Sequence, residues 1–376
     1  MILYDRIVNI SKIEKVYHDV RLTTKHKQKI INFNVFYLTN IMQIYEILRL
    51  KKYKHGAYNV FLVKEYKYRL IMSENISDKI VNHLISDEIL LPLIEPRLIE
   101  TNVATRKNKG IKMGLFYIKK YINNIRRTND NFYVLKCDIK KYFYNIDHEI
   151  LLNMLKRFLP DNDVLDVLRD ILETTNSEAM NNEINKVIEA EKQRLLNTHN
   201  PYLEDKFDEL DSIPRYHLHK GLPIGNMTSQ ILAIFYLNDL DHYIKEKLHI
   251  KYYVRYMDDL VLFHEDKEYL KECLDKINVF LKEKCALTLH PKKTRIYPFK
   301  KEGLNFLGYR FIIKNNRLIT LMCPETKKKI KAHLQYVNRR NPSNKRSVYA
   351  SYKGYFNNCK HSSFVYRNAF FDFYDI

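Results

Sequence analysis

Two adjacent acids, Asp258 and Asp259, sit between the apolar runs Tyr252-Tyr253-Val254 and Leu260-Val261-Leu262-Phe263. The pattern predicts a strand, a tight turn and a strand over Lys251–Phe263, with both carboxylates at the tip. Asp is a poor strand residue and like charges side by side repel. A plain Asp-rich turn is one explanation. A hard divalent cation is another, because Mg2+ takes oxygen ligands and would remove the repulsion. Asp138 has the same character, since it ends the apolar run Phe132–Cys137. A strand-end or helix-capping Asp would read the same way. Alternatively, two strands of one sheet that each end in acid bring Asp138 and Asp258 together. Paired carboxylates of this kind hold two ions about 3.5–4 Å apart, the arrangement used for in-line displacement at phosphorus.

The elements that must position these acids can be read from periodicity. Helices are predicted over 8–23, 34–52, 111–126 and 147–158. Residues Asn59–Met72 read as two short strands around a turn at Glu65–Lys67. The next stretch is helical up to Pro92, with Ser77 as N-cap. Phe132–Ile139 reads as a buried strand and Gln230–Leu248 as one long amphipathic helix. Residues 267–285 are predicted helical, 303–313 extended, and the chain from Pro324 to about Ala369 basic and helical. A strand–helix–helix–hairpin order makes the centre an α+β layer, an antiparallel sheet with helices on one face.

The chain of 376 residues is 45% hydrophobic, enough for a large core and two or three domains. With only 8 Gly and 10 Pro it has no long flexible linker to separate them. The net charge of +20 points to a polyanionic partner, nucleic acid above all. Residues 161–212 run against it, with 14 acidic and 5 basic side chains, and read as an acidic helical insertion on the outer face. No apolar run approaches the ~18 residues of a membrane span, and the start, Met1–Lys15, lacks the pattern of a signal peptide. The five cysteines form no CxxC pair and no zinc pattern, which suits reduced thiols in a cytoplasmic protein.

The order of the chemical blocks resembles the reverse transcriptases. Lys136–His148 (KCDIKKYFYNIDH) is similar to their motif A and Gly221–Gln230 (GLPIGNMTSQ) to motif B. YMDD at Tyr256–Asp259 is similar to motif C, Leu287–Thr294 (LTLHPKKT) to motif D and Leu304–Phe311 (LNFLGYRF) to motif E. The hairpin Tyr66–Met72 and the row Thr101–Gly110 resemble their finger motifs. The resemblance covers roughly residues 55–313. It implies a right-hand polymerase with fingers over 1–130, palm over 131–313 and a short basic helical thumb over 314–376. It also implies RNA-templated DNA synthesis with two Mg2+ ions, for which Mn2+ is an alternative.

Carried over residue by residue, Asp138 and Asp258 are metal ligands, joined by Ile139, and Asp259 is the supporting acid. Phe143, five residues after Asp138, matches the aromatic position that would clash with a ribose 2′-hydroxyl. Lys64 and Arg69 flank the finger hairpin and would clamp the triphosphate, with Gly225 and Gln230 also at the nucleotide. Lys293 would protonate or stabilise the leaving pyrophosphate. Arg106, Ile224, Phe306, Leu307, Gly308 and Lys353 are expected at template or primer. Each has a plainer alternative: Phe143 as a core ring, Lys293 as a solvated lysine, Ile224 as an anchor of its turn.

Motif B departs from the common Gln-Gly pattern, with Ile224-Gly225-Asn226 in its place. This form resembles the diversity-generating retroelement branch and some bacterial defence-associated enzymes. Expected partners are therefore an RNA template, a DNA or RNA primer, deoxynucleotides, a dedicated noncoding RNA, and an accessory protein or a second copy of the chain, in a bacterial or phage-encoded setting. No NAxxH or VTG row is present, which argues against retron enzymes. A maturase extension or HNH nuclease after residue 376 is not expected, which argues against a full intron protein, and neither is the further acidic domain that RNase H would need. The runner-up reading is a phage-defence enzyme making template-independent or protein-primed DNA. A non-catalytic RNA-binding protein is a second class, opposed by the intact acids and Phe143. That bulky ring also disfavours an RNA-dependent RNA polymerase.

Overall fold

The computed structural model of the chain describes residues 3–64, 67–175, 178–197, 203–340 and 345–359. It forms two compact units, each gathered from several stretches of chain. Met1–Arg106, Ile139–Tyr243 and Ile277–Leu289 make the first; Lys107–Asp138, Ile244–Lys276 and His290–Ile376 make the second.

The first unit opens with helices Ile10–Thr23, Lys27–Val35 and Tyr37–Arg49. Ile13, Val16, Tyr17 and Val20 recur at helical spacing and are buried. Strands β1 (Asn59–Lys64) and β2 (Tyr68–Ser73) then form an antiparallel hairpin. The following helix, Ile76–Ile85, starts one residue before Ser77, and its N-cap is Asn75, which accepts from the Asp78 amide at 2.8 Å. Asn caps as well as Ser does, and the chain is still extended at Asn75. The helix continues through a π-helical turn at Ser86–Leu90.

Side chains alternate along the hairpin. Val60, Tyr68, Leu70 and Met72 turn to one face and are buried with Met180, Ile184, Ile188, Leu195 and Leu210. These partners belong to the acidic helices Glu178–Leu196 and Leu203–Asp211. A two-stranded ribbon is marginal alone, and this cluster is what covers it. The acidic segment therefore has a committed inner face that its charge concealed.

Helix Met227–Tyr236 is buried almost all round. The expected single helix over Gln230–Leu248 is interrupted. Leu237 leaves helical geometry (ψ 11°), Asn238–His242 makes a short second helix, and Tyr243–Lys247 a π turn. A run with no exposed face from Ile231 to Leu237 is a central core segment, and its apolar character does not report where the helix stops.

The second unit is built on a four-stranded antiparallel sheet in the order β4-β5-β3-β6. The strands are β3 (Tyr133–Asp138), β4 (Tyr252–Tyr256), β5 (Asp259–His264) and β6 (Arg295–Pro298). Val134, Leu135, Cys137, Tyr253, Val254 and Leu260–Phe263 are buried, and the central strand β5 reads as a continuous apolar run. Helix Ile111–Thr128 packs on β4 and β5 through its buried stripe, Leu115, Ile118, Ile122 and Ile125. A second sheet joins β7 (Leu304–Phe306), β8 (Tyr309–Lys314) and β9 (Arg317–Met322). Helices Pro324–Arg340 and Lys345–Asn358 pack on each other and end the described chain; the expected helix beyond Cys359 lies outside the described residues. Among the described residues no helix is long and apolar enough to cross a membrane.

Candidate active site

The three acids lie at one end of the four-stranded sheet. Asp138 is the last residue of β3 and stands opposite Asp259, the first of β5. Asp259 in turn pairs with Tyr256 across the β4–β5 hairpin, leaving Met257 and Asp258 as its two-residue turn. Met257 has a positive φ of 54°. The fully buried Arg255 holds that turn, its Nη1 donating to the Met257 carbonyl at 2.9 Å. Motif D is bonded to the same place: the His290 amide donates to the Asp138 carbonyl at 2.7 Å.

Acids opposed across a ladder destabilise each other unless cations balance them. Lys293 Nζ donates to both Asp138 oxygens, at 3.1 and 3.0 Å. Lys136 lies 3.2 Å from Asp259 Oδ2 and also donates to the Asn305 carbonyl at 2.9 Å. Burial pushes the Asp258 carboxyl up; the charge of Asp138 adds to this, and Lys293 and Arg255 oppose it. Burial also pushes Asp259 up, to about 6, against the pull of Lys136 and with the charges of Asp258 and Asp138 adding to it. Asp259 Oδ1 is buried with no hydrogen-bond partner.

As the side chains stand, no three or more His, Cys, Asp or Glu among the described residues are placed to hold a metal ion. The donor set nevertheless fits a hard cation. It is all carboxylate, its members disfavour each other's charge, and one buried oxygen lacks a partner, each of which a divalent ion would relieve. Asp138 would become a ligand by exchanging Lys293 for the ion. Ile139, in the first unit, bridges Leu289 with its side chain buried, so only its backbone carbonyl has a donor atom to contribute. Beside Asp138 a cleft of about 460 Å³ is lined by Lys136, Lys293, Arg295, Lys301 and Arg310, a basic surface next to the acids.

The remaining candidates of the second unit cluster around the β7–β8 hairpin. Phe306 is buried, and Leu307 (φ 51°) and Gly308 (φ 83°) form its two-residue turn. Two successive left-handed residues suit the twist of a tight hairpin. Tyr355 stacks on Tyr309 with ring centroids 5.7 Å apart, next to the exposed Lys353.

In the first unit, Phe143 sits in the short helix Tyr142–Asn145, half-buried, its carbonyl accepting from the Leu222 amide at 2.7 Å. The buried neighbour is Tyr142, which donates to the Ala233 carbonyl at 2.5 Å. Lys64 and Arg69 do not form one clamp. Lys64 is opposite Tyr68 and Arg69 opposite Val63, so the two lie on opposite faces of the hairpin. Lys64 Nζ lies 5.5 Å from the Tyr68 ring centroid, on the face of the acidic helices. Arg69 is exposed on the other. Arg106 is mostly buried, and its Nη1 donates to the carbonyls of Ile99 and Asn102 at 2.8 and 3.0 Å. Its guanidinium therefore holds the chain's own loop.

Motif B is joined to the hairpin. The Met72 amide donates to the Ile224 carbonyl at 2.8 Å, and Gly225 (φ 143°) lies flush against the Met72 carbonyl. Asn226 donates to Tyr58 Oη at 2.5 Å, Thr228 to Asn82 Oδ1 at 2.8 Å, and Asn82 to Glu74 at 2.5 Å. Ile224 is half-buried, whereas Gln230 is exposed. Sequence reasoning missed Lys136, Arg255, Tyr58 and Asn82. Lys136 shares a strand face with Asp138, and Arg255 is a lone charge in an apolar strand, so these two carried a signal. Tyr58 and Asn82 carried none.

Residues 51–311 match the family described as reverse transcriptase (RNA-dependent DNA polymerase). The match spans more than half of the chain, which therefore belongs to the reverse transcriptase family and has its α+β right-hand polymerase fold. It is 28% identical over 201 residues to a COX1/OXI3 intron 2 protein of Saccharomyces cerevisiae, covering 46% of this chain and 23% of that protein. The chain thus spans about a quarter of that relative's length. A solved structure of telomerase from Candida albicans, in complex with a fragment of telomeric RNA, aligns with a TM-score of 0.44 at 13% identity, over 82% of this chain and 55% of that one.

Proposed function

We propose that the chain is an RNA-directed DNA polymerase that extends a primer by two-metal nucleotidyl transfer, with fingers over 1–130, palm over 131–313 and thumb over 314–376. The observation that carries this reading is the pairing of Asp138 with Asp259 at the sheet end, with Asp258 in the adjoining turn. Two Mg2+ ions held by Asp138, Asp258 and the Ile139 carbonyl, with Asp259 in support, would lower the pKa of the primer 3′-hydroxyl and neutralise the triphosphate.

The chain's own residues do the rest. Arg255 and the Met257 turn fix where Asp258 points. Arg69 binds the triphosphate, as a guanidinium is suited to do. The Phe143 ring excludes a 2′-hydroxyl. Lys293, exchanged from Asp138, is free to donate its proton toward the departing pyrophosphate. Gly225 and Gln230 border the nucleotide, and Ile224 the forming base pair. The turn Leu307-Gly308 and the exposed Lys353 contact primer and template.

The template is proposed to be a dedicated noncoding RNA, in a bacterial or phage-encoded cytoplasmic system. That finer reading is supported by the motif B row Ile224–Gln230, which also suits a defence role. Neighbouring genes test the branch: a template repeat beside a variable target gene marks a diversity element, and a defence island marks immunity. The activity is tested by primer extension on a defined RNA template. Extension with deoxynucleotides that requires Mg2+ or Mn2+ supports the reading; binding of template–primer without any extension contradicts it.

A further inference from the structure

The acidic segment has no part in the chemistry above, yet it makes specific polar contacts with the finger hairpin. Tyr68 is the first residue of β2 and pairs with Lys64 at the turn end of the hairpin. Its amide donates to Glu209 Oε1 at 2.6 Å, and its hydroxyl donates to Glu191 Oε1 at 2.7 Å. Both glutamates are held on their own helices. Arg194 donates to the two Glu191 oxygens at 2.6 and 2.7 Å, and Lys206 Nζ donates to Glu209 Oε2 at 2.5 Å. The glutamate side chains are only 15% and 17% exposed. Carboxylates removed from water this far need several bonds each: Glu191 has one from the hairpin and two from Arg194, and Glu209 one from the hairpin and one from Lys206.

We propose that Glu191 and Glu209 are positioning residues: the acidic helices grip the turn end of the hairpin through Tyr68 and so set the place of Arg69 for the incoming nucleotide. A two-stranded ribbon is marginal alone and depends on outside contacts to hold its place. Tyr68 and Arg69 are neighbours in one strand, so their side chains project to opposite faces. Gripping Tyr68 on the buried face fixes the backbone from which Arg69 leaves on the exposed face. The base of the hairpin is held separately, by Met72 and Tyr58 on motif B. The acidic charge also has a reason: carboxylates on this face balance Lys64 and bind an amide and a hydroxyl without offering nucleic acid a second cationic surface.

The inference rests on the polymerase reading, in that Arg69 is taken to meet the triphosphate. The test compares Glu191→Ala/Glu209→Ala with wild type in single-nucleotide extension. We expect KM for the deoxynucleotide to rise about tenfold with kcat within about twofold, the pattern of lost nucleotide binding. Glu209→Gln keeps an acceptor for the Tyr68 amide and should recover most of the loss. Adding Arg69→Ala to the double variant should raise KM no further than Arg69→Ala alone, because both act through one residue. Independently of activity, hydrogen exchange at the Tyr68 amide should quicken in Glu209→Ala while helix Glu178–Leu196 stays protected. An unchanged KM, or fully multiplicative effects with Arg69→Ala, in an enzyme that does extend primers, overturns the grip alone. Unchanged exchange at Tyr68 overturns it whether or not the protein polymerises. Wild type that never extends a primer, with Tyr68 exchange responding as expected, overturns the polymerase reading and with it the role given to Arg69.

Discussion

The amide of Met72 donates to the carbonyl of Ile224 at 2.8 Å, so the strand that carries Arg69 and the turn that opens motif B share a backbone hydrogen bond. Gly225 completes the join. A Cβ at this position would stand 2.2 Å from the Met72 carbonyl oxygen, at a φ of 143° that L side chains rarely adopt. Gly225→Ala should therefore separate the two elements and cost about 2–4 kcal/mol, the range of a strained backbone plus an overpacked contact. Urea melts read the stability, and a midpoint unchanged from wild type would mean that the join carries no weight.

Ile224 presents an apolar, half-buried side chain at the turn that opens motif B. Its backbone, not its side chain, makes the bond to Met72, so Ile224→Gln should leave the join intact. We expect total synthesis within about tenfold of wild type, about 1.4 kcal/mol in barrier, and a changed misincorporation spectrum. Identical error spectra on one defined template would make Ile224 a structural residue only.

Phe143 is half-buried, with Tyr142 and not Phe143 filling the core beneath. Phe143→Val should raise the use of ribonucleotides more than it lowers the use of deoxynucleotides, by about tenfold or more in their ratio, as removal of a steric clash would. Competition assays with both nucleotide types give the ratio directly; an unaltered ratio removes Phe143 from the nucleotide site.

The raised carboxyl of Asp259 gives the metal-free protein a particular pH dependence. Its folded value, about 6, lies above the unfolded value near 4. The folded state therefore binds more protons than the unfolded state between these values, and this group's contribution to stability falls as pH rises from about 4 to about 6. Above that window the chain carries a net penalty of about 2–3 kcal/mol from this group, with the pull of Lys136 already included. In EDTA, Asp259→Asn should remove the pH-dependent part, so the variant gains on wild type between pH 4.5 and 7.5. Parallel stability curves for the two proteins across that range would show that Asp259 is not held against ionisation.

How much of this was legible in the sequence depends on the length of the interaction. The acids at the sheet end were legible because Asp in an apolar strand run violates a local rule, and helix Lys267–Cys285 because amphipathic period and length agree. The pairing partner was less so: both motif C acids were visible, but only the register shows that Asp259 faces Asp138 while Asp258 occupies the turn. Strand alternation does not carry across a turn, so only the pairing of Lys64 with Tyr68 shows that Lys64 and Arg69 lie on opposite faces. The inner face of the acidic helices was hidden because Met180, Ile184 and Ile188 are sparse among charges. The link from Asn226 to Tyr58 joins residues 168 positions apart, which no local pattern reports.

The catalytic role of the sheet-end acids predicts a specific failure. Asp258 is held in a turn by Arg255 and its charge is disfavoured by burial, so Asp258→Asn should not cost the fold stability. Single-turnover incorporation of one deoxynucleotide on a template–primer, with Mg2+ present, should drop by about 10³-fold or more in Asp258→Asn and in Asp138→Asn, several kcal/mol of transition-state stabilisation. Thermal melts and template–primer affinity should stay near wild type. Incorporation retained within about tenfold in either variant would contradict a metal-dependent site at Asp138 and Asp258.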